Sequence, residues 1–220
     1  MQIEEKGSGN VINVAGPRSR AVTITVTGNN NRISVGNFST GGLSITVDGD
    51  GCEIHLGNLR FAKKLSVLAK AGAKVSIGDK TSVMNASIFA IGSQVSIGQD
   101  CMLSFPVNIR THDGHGIYDI HTGNMVNQAG PVEIGDHVWI GMQSIVCRGT
   151  RIGNGSIIGA RSYVQNMTVP ACSIAAGSPA RILKHDVTWD RSMAGNLFDE
   201  TAMISGDILS LLTDQHDKVS

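Results

Sequence analysis

One stretch of the chain concentrates residue types that general acid–base chemistry uses. Between positions 111 and 131 lie three of the seven histidines, two aspartates and one of the two tyrosines: His112, His115, His121, Asp113, Asp119 and Tyr118. An imidazole has an unperturbed pKa near about 6.5, so at neutral pH it can accept a proton from a bound hydroxyl or amine. His115 is therefore a candidate general base, and a solvated loop histidine is the alternative. His112, Asp113 and His115 could also bind zinc, although two histidines three apart in a loop are not specific for that metal.

A second candidate is Trp139, in the sequence IGDHVWIG (134–141). It directly precedes Ile140, which we expect to point inward, and successive side chains of a strand point to opposite faces. Trp139 is therefore predicted to point outward from a surface otherwise rich in Gly, Ser and Asn. A subunit interface and a ligand cleft would both suit such a residue.

Arg181 and Lys184 form a third candidate, because they follow Pro179 just beyond the last repeat. They could contact phosphate groups, or they could be a solubilising end of the repeat domain. Pairs of exposed charges are common on protein surfaces, so their spacing alone leaves both interpretations open.

The elements that position these residues are indicated by a period of six. Apolar residues recur at every sixth position: Ile134, Ile140, Val146, Ile152, Ile158 and Val164. Small residues recur four places later: Ser144, Thr150, Ser156, Ser162 and Thr168. A helix repeats every 3.6 residues and a flat strand every 2, so neither explains this period. Short strands separated by corners do explain it, and three steps of six close one coil. The pattern predicts a parallel β-helix solenoid.

Earlier coils are longer than the later ones. Apolar positions 21 residues apart mark them: Ile12, Ile33, Ile54 and Val75. We interpret these as coils of 18 residues enlarged at one corner, at 29–31 and 48–51, because Asn, Asp and Gly tolerate positive φ. The interval from Ile97 to Ile134 is 37 residues, which is one coil plus about 19 extruded residues. The repeats over about 10 to 185 predict roughly nine coils.

We predict two parts of the chain. The first is a β-helix domain over 1–185, from which the loop 111–131 protrudes. The second is a C-terminal extension over 186–220. Four apolar residues at helical spacing predict a short helix at about 203–214 in that extension: Ile204, Ile208, Leu211 and Leu212.

Composition supports a thin core and argues against several partners. Hydrophobic residues make up 41% of the chain, aromatic residues only 4%, and there are 27 glycines. The 18 Lys and Arg residues balance the 18 Asp and Glu residues, so no overall charge attracts nucleic acid or a membrane surface. No apolar run nears the ~18 residues of a membrane span, and no signal peptide is apparent, so we expect a cytoplasmic protein. Four cysteines without CxxC spacing predict structural small residues rather than disulfides or metal ligands.

The segment from Val132 to Lys184 resembles the hexapeptide-repeat acyltransferases, whose fold is a left-handed β-helix. The matching sequences are IGDHVWIG (134–141), RIGNGSIIGARSYV (151–164) and AAGSPARILK (175–184). The loop sequence HGIYDIHTG (115–123), with Asn127 beyond it, is similar to the bacterial surface-polysaccharide O-acetyltransferases, including the sialic acid and polysialic acid group. The left hand comes from this resemblance alone.

The resemblance implies a homotrimer with acetyl-CoA bound between neighbouring prisms. His115 matches the catalytic base, and Trp139 matches a tryptophan beside the thioester. The resemblance assigns acetyl-CoA to a further set: Gly141, Met142, Ala160 and Gln165 along its arm, and Arg181 and Lys184 at its phosphates. Tyr118 and Asp119 are predicted to contact the acceptor. Where the family usually has Val-Thr-Lys, this chain has Val-Gln-Asn at 164–166, so one common cation is missing, and residues 1–74 match no family sequence.

The sequence therefore predicts an acetyl-CoA-dependent O-acetyltransferase that acts on a sugar hydroxyl. The acceptor is expected to be a cell-surface polysaccharide (capsule, sialic acid or lipopolysaccharide) or its precursor. Backbone N–H groups near Gly141 are candidates for stabilising the oxyanion, and Asp113 and Asp119 are both candidates for orienting His115. No metal is expected. The alternatives are N-acetylation of an amino sugar or small amine, and a non-catalytic or zinc-binding β-solenoid.

Overall fold

The six-residue pattern folds as short strands that alternate among three sheets. The structure is a computed structural model that describes residues 1–15, 22–39 and 41–191. Sheet A contains, in spatial order, β1 (Gln2–Lys6), β3 (Val22–Thr27), β6 (Gly42–Asp48), β9 (Lys64–Lys70), β12 (Ala86–Ile91), β15 (Val107–Arg110), β18 (Ile145–Cys147) and β21 (Tyr163–Val164). Sheet B contains β2 (Val11–Val14), β4 (Arg32–Val35), β7 (Glu53–Leu56), β10 (Lys74–Ile77), β13 (Gln94–Ile97), β16 (Val132–Ile134), β19 (Thr150–Ile152) and β22 (Thr168–Val169). Sheet C contains β5 (Phe38–Ser39), β8 (Leu59–Ala62), β11 (Ser82–Val83), β14 (Met102–Leu103), β17 (Trp139–Ile140), β20 (Ile157–Ile158), β23 (Ile174–Gly177) and β24 (Ala180–Lys184).

Each coil adds one strand to each sheet, and the strands stack in parallel, so the predicted parallel β-solenoid is confirmed. The prediction of roughly nine coils is wrong by about one, because each sheet has eight strands. The early coils use 21 residues each, and β24 turns back antiparallel onto β23 instead of starting another coil. None of the described residues lies in a helix. The described part of the chain therefore contains no helix long and apolar enough to cross a membrane.

The period-six residues form the core as predicted. All six of the apolar residues from Ile134 to Val164 are at most 3% exposed. The small residues are buried at the corners, where their hydroxyls bind carbonyl groups of the next coil. Ser144 donates to the Gly159 carbonyl at 2.9 Å, and Ser156 donates to the Pro170 carbonyl at 2.7 Å. Thr168, the last of that series, is exposed because the last coil is one residue shorter, so that Thr168 pairs with the outward-facing Arg151 instead of with Thr150.

The longer N-terminal coils stack through polar ladders at their enlarged corners. The backbone N–H of Asn29 donates to the Asp50 carboxylate at 2.7 Å, and that of Ser8 donates to the Asn29 side chain at 2.9 Å. Each pair is separated by 21 residues, which is one coil. Asn30 adopts a φ of 56° at this corner, a conformation that asparagine tolerates.

Two segments leave the regular coil. Residues 111–131 lie between β15 and β16, at the corner between sheets A and B, and contain one antiparallel bridge between Tyr118 and Met125. After β24 the chain runs back over the corner between sheets B and C. There the Val187 N–H donates to the Cys172 carbonyl at 2.9 Å. The helix predicted at about 203–214 lies outside the described residues.

Candidate active site

A groove of about 390 Å³ lies on the outer face of sheet C and is mainly apolar. Its lining residues are Met84, Met102, Ser104, Phe105, Trp139, Gly141, Met142, Ile157, Ile158, Gly159 and Ala160. A larger depression of about 440 Å³ lies on sheet B, but an ion pair between Glu133 and Arg151 crosses it. Of the residues predicted to bind acetyl-CoA, Trp139, Gly141, Met142 and Ala160 line the sheet C groove.

The register of sheet C explains the shape of this groove. Trp139 stacks between Met102 and Ile157, and these three side chains form one wall. Gly141 lies in the next outward column, and its missing side chain leaves the floor open. A Cβ at Gly141 would come within 2.7 Å of the Ala160 nitrogen in the next coil, so the close stacking of the coils requires glycine there.

Trp139 is fixed at the groove by contacts on two sides. Its side chain is 36% exposed, so it points outward as predicted. The indole Nε1–H donates to the Ser104 hydroxyl at 3.2 Å. The ring of Trp189 lies 6.1 Å away and is tilted by 52°. The indole therefore presents an apolar face and one polar donor to the groove.

Arg181 and Lys184 lie at the far end of the same two columns. The antiparallel pairing of β24 with β23 sets Lys184 beside Ile174 and Arg181 beside Ala176. Ile174 in turn pairs with Ile157, which pairs with Trp139. Lys184 is thus three strand spacings, or about 14 Å, from Trp139 along the column. Both cations are exposed, so a ligand in the groove could reach them.

The backbone N–H of Gly141 donates to the Ile158 carbonyl at 2.7 Å. It belongs to the ladder that stacks the coils, so this one N–H is not free to stabilise an oxyanion, and the expectation that backbone N–H groups near Gly141 do so stays a prediction for the neighbouring groups. Sequence reasoning missed this because the glycine is at once a groove residue and a stacking residue.

His115 lies at a different corner, on the exposed loop. Its backbone carbonyl accepts a hydrogen bond from the Asn127 side chain at 2.8 Å. The buried Asn127 also donates to Asp113 at 3.0 Å and accepts from the Ile117 N–H at 2.7 Å. One side chain thus holds the segment on both sides of His115, a role that sequence reasoning did not assign to Asn127.

The two aspartates of the loop bind other groups. Asp113 accepts from Asn127 and from Arg148, at 3.3 Å, and these contacts lower the pKa of its carboxyl. Asp119 accepts from the Thr122 N–H at 2.7 Å and from the His121 N–H at 3.0 Å; these bonds, Thr122 first, lower the pKa of Asp119. Among the described contacts, neither carboxylate is hydrogen-bonded to the imidazole of His115. Asp119 is occupied in a turn of the loop, and Tyr118 is 61% exposed beside it.

The predicted site residues therefore divide into two sets on one chain. Phe105 borders the groove and Thr111 begins the loop, and these residues flank the two ends of β15. Six Cα-to-Cα steps separate them, and four of the five residues between them form β15, so the distance is about 20 Å when the chain is extended. Gln165 belongs to the loop side, because it follows β21 and accepts a hydrogen bond from the Tyr163 hydroxyl. It lies away from the groove to which Met142 and Ala160 contribute.

The thiols are poor candidates for nucleophiles. All four cysteines are free. Burial raises the pKa of each, and that of Cys101 reaches about 12. Within the residues that the structure describes, no three His, Cys, Asp or Glu side chains are grouped as metal ligands.

Comparisons with known proteins confirm the resemblance. The family model described as bacterial transferase hexapeptide (six repeats) matches residues 131–166. Polysialic acid O-acetyltransferase of Escherichia coli O1:K1 / APEC is 32% identical over 145 residues, which is 66% of this chain and 45% of that protein. The polysialic acid O-acetyltransferase of Neisseria meningitidis is also 32% identical, over 54% of this chain and 56% of that protein. The aligned part thus spans about half the length of these curated relatives.

Two solved structures extend the similarity over most of the chain. The polySia-specific acetyltransferase NeuO superposes with a TM-score of 0.85 and 28% identity, covering 97% of this chain and 90% of that one. The polysialic acid O-acetyltransferase OatWY superposes with a TM-score of 0.69 and 28% identity, covering 91% of this chain and 97% of that one. The N-terminal coils, which match no family sequence, therefore fall within the NeuO-like fold.

Proposed function

We propose that this chain, which carries the hexapeptide repeat of bacterial transferases, is an acetyl-CoA-dependent O-acetyltransferase acting on a sugar hydroxyl of a polysaccharide. One observation carries the proposal. An apolar groove bordered by Trp139 ends in two cations, on a fold similar to polysialic acid O-acetyltransferases over nearly its whole length. We further propose that the acceptor is a surface polysaccharide such as a capsule or sialic acid polymer, or its precursor, and that the reaction occurs in the cytoplasm.

The groove fits the chemical parts of acetyl-CoA. Its walls of Trp139, Met142 and Ile157 suit an apolar arm, and the Ser104 hydroxyl supplies one polar contact. Arg181 and Lys184, about 14 Å from Trp139, suit phosphate groups, which bind such cations through charge-assisted hydrogen bonds. Acetyl-CoA supplies an acetyl group activated as a thioester.

His115 acts as the general base in this proposal. Its imidazole takes the proton of the acceptor hydroxyl as the oxygen forms a bond to the acetyl carbon, and it returns a proton to the departing thiolate. The acceptor gains the acetyl group, the thiol is released, and no acyl-enzyme forms. The Gly141 N–H and the Trp139 indole N–H both donate to groups of this chain, so we assign neither of them to the developing oxyanion.

The separation of the two sets supports a site shared by two chains. The base of the His115 loop and the Trp139 groove are about 20 Å apart on one chain. In a homotrimer, the loop of one chain can serve the groove of its neighbour through a heterologous interface. The loop also exposes apolar side chains that an interface would cover, such as Ile120 at 90% exposure and Val126 at 58%.

Thiol release from acetyl-CoA tests the reaction. The purified chain is incubated with sialic acid polymers, other capsular polysaccharides, amino sugars or no acceptor. We expect release that depends on a polysaccharide and yields an alkali-labile ester. Products that are amides would favour the N-acetyltransferase alternative, and no release with any acceptor would overturn the proposal.

A mixing experiment tests the shared site. His115→Ala is co-expressed in equal amount with the double variant Arg181→Ala/Lys184→Ala, and mixed trimers are isolated with two affinity tags. In every mixed trimer one of the three sites joins an intact loop to an intact groove, so about a third of the wild-type activity should return. The assay uses acetyl-CoA well below the wild-type KM, so that the double variant is itself slow. If the site lay within one chain, the mixed trimers would show no more than the summed residual activities of the two variants. Sedimentation as a stable monomer at micromolar concentration would also exclude the shared site.

A further inference from the structure

Both tryptophans of the chain meet at the edge of the groove. Trp139 borders the groove, and Trp189 lies in the segment that follows the last strand. Trp189 is 6% exposed, and its ring is 6.1 Å from that of Trp139. We call residues 187–191 the strap, because they run back across five coils, from the contact of Val187 with Cys172 to that of Arg191 with Ser82. The Thr188 hydroxyl donates to the Gly155 carbonyl at 3.0 Å, which fixes the middle of the strap.

Trp189 is seated on His137. The two rings are stacked, with centroids 4.3 Å apart and planes within 4°. The Trp189 Nε1–H donates to the His137 carbonyl at 2.8 Å. His137 itself is 1% exposed and has a φ of 52°, so its backbone is held in the left-handed region. The strap thus docks on a residue two positions before Trp139.

The contacts of the His137 ring define its charge. Nε2 lies 2.8 Å from the Trp189 carbonyl oxygen, which can only accept, so Nε2 carries a proton. Nδ1 lies 2.8 Å from an oxygen of Asp100, whose other oxygen accepts from Arg191 at 2.9 Å. A carboxylate in that position also accepts, so Nδ1 carries a second proton. The geometry requires an imidazolium.

Arg191 closes the strap over the same carboxylate. Its guanidinium donates to the carbonyls of Asp100 and Cys101 at 2.6 and 2.7 Å, and to the Ser82 hydroxyl at 2.7 Å. It also lies 5.1 Å from the Trp189 ring. Of the titratable groups near His137, Asp100 contacts its ring, Arg191 contacts Asp100, and Cys101 accepts from the Val138 N–H. Asp136 and Asp190 adjoin His137 and Trp189 along the chain. Asp100 must be ionised to accept from both cations, and loss of one imidazolium proton would set a nitrogen lone pair against an acceptor.

We propose that Trp189 is a positioning residue for the acetyl transfer: the strap fixes the Trp139 ring in the groove, and it stays docked only while His137 carries both protons. The proposal rests on the proposed function for its catalytic consequence, and on the ring contacts for its physical part. Raising the pH should therefore weaken the contact between the strap and the His137 ring. Lowering the pH far enough to protonate Asp100 should loosen it as well.

Fluorescence tests the docking without any need for activity, because the chain has two tryptophans and both are in this contact. In Trp139→Phe, Trp189 is the sole tryptophan, and a stacked imidazolium quenches it. We expect its emission to rise about twofold or more, and acrylamide to reach it more readily, as the pH is raised. Adding His137→Gln should give the high-pH behaviour at all pH values. Adding His185→Ala is the matched control, because His185 is an exposed histidine of the same tail, and it should leave the profile unchanged.

Kinetics test the positioning role. Trp189→Ala should lower kcat about tenfold or more, because misplacing a group that contacts the reacting centre is costly. Trp189→Phe keeps an aromatic ring on His137 and should restore most of kcat. The binding constant for CoA should change by less than about threefold in both variants, since the phosphate contacts at Arg181 and Lys184 are separate.

The two proposals can fail separately. A flat pH profile of Trp189 emission and acrylamide access, unchanged by His137→Gln, would overturn the docking of the strap whatever the activity. A normal kcat in Trp189→Ala would overturn the positioning role. Absence of acetyl transfer by the wild-type chain would overturn the proposed function, while the fluorescence result would still decide whether the strap depends on the His137 charge.

Discussion

The Trp139 groove and the His115 loop are held in place by different means. In the groove, backbone ladders set the position of each side chain. The Ser104 N–H donates to the Ile140 carbonyl at 3.0 Å, and the Gly159 N–H donates to the Ala175 carbonyl at 2.9 Å. The loop is held by local backbone bonds, such as that from the Val126 N–H to the Ile117 carbonyl at 2.8 Å, and by the side-chain bonds of Asn127 and Asp119.

This difference indicates which half of the proposed site is preformed. A groove on stacked coils exists in one chain, since moving Trp139 would require a shift of the register of sheet C. The loop has no such ladder, and its exposed apolar residues, such as Ile117 and Ile120, have no described contacts that bury them. We therefore expect changes in the loop to affect turnover, and changes at the two cations of the groove, Arg181 and Lys184, to affect acetyl-CoA binding.

The largest expected effect is that of His115→Ala. General-base catalysis contributes about 10²–10⁴-fold, so kcat should fall by at least that lower figure. Binding of acetyl-CoA, measured by calorimetry, should be unchanged because the groove is intact. His112→Ala and His121→Ala are the matched loop controls and should cost far less. Near-normal turnover in His115→Ala would remove the loop from the chemistry.

Asn127→Ala should have the next largest effect. It removes the three hydrogen bonds that hold residues 113–117, each worth about 0.5–1.5 kcal/mol net. We expect kcat to fall about tenfold or more through loss of the His115 position, while acetyl-CoA affinity stays the same. Gln128→Ala, at the exposed neighbouring position, is the control. If Asn127→Ala weakened acetyl-CoA binding instead, the proposed division between loop and groove would be wrong.

Arg181→Ala tests the groove and should weaken the binding of acetyl-CoA. Hydrogen bonds to charged groups contribute about 1.5–3 kcal/mol, and because Arg181 is exposed we expect the lower end, a rise of about tenfold in the KM for acetyl-CoA. The kcat should change little. Lys74→Ala, an exposed cation of sheet B that pairs with Glu53, is the control. An unchanged affinity in Arg181→Ala/Lys184→Ala would show that the phosphates bind elsewhere.

The smallest expected effect is on the stability of the loop at acid pH. The Asn127 hydrogen bond and the Arg148 charge lower the pKa of Asp113 in the folded chain. A lowered pKa means that this contribution to stability is present above the ordinary pKa of aspartate, about 3.9, and is lost as the pH falls through the lowered value. Both side chains are partly exposed, so the effect should be under about 1 kcal/mol.

Hydrogen exchange measures this last effect. Amides of 111–131 should lose protection as the pH falls below about 4, before those of sheet C do. Asp113→Asn should abolish most of that pH dependence. Equal loss of protection in the loop and the groove would contradict the separate stabilisation of the two regions.

The amino-acid sequence by itself determined the coil and much of the groove. A six-residue period from Ile134 to Val164 has one physical solution among regular structures, so the inward residues and the outward direction of Trp139 followed from local pattern. The corner residues, such as Asn30, were predictable for the same reason, because positive φ limits which residues a tight corner accepts. These features depend on a few consecutive residues each.

Only the tertiary structure decided what those coils bring together. Lys184 shares a column with Trp139 because β24 turns back onto β23. The repeat pattern does not predict this reversal. Gln165 lies on the loop side, and the Gly141 N–H donates to the next coil. The His137 ring contacts the carbonyl of Trp189, 52 residues away. Such contacts depend on the number of residues at every intervening corner and on where the last strand reverses. A period specifies which face a residue occupies, but the register of distant segments specifies its neighbours.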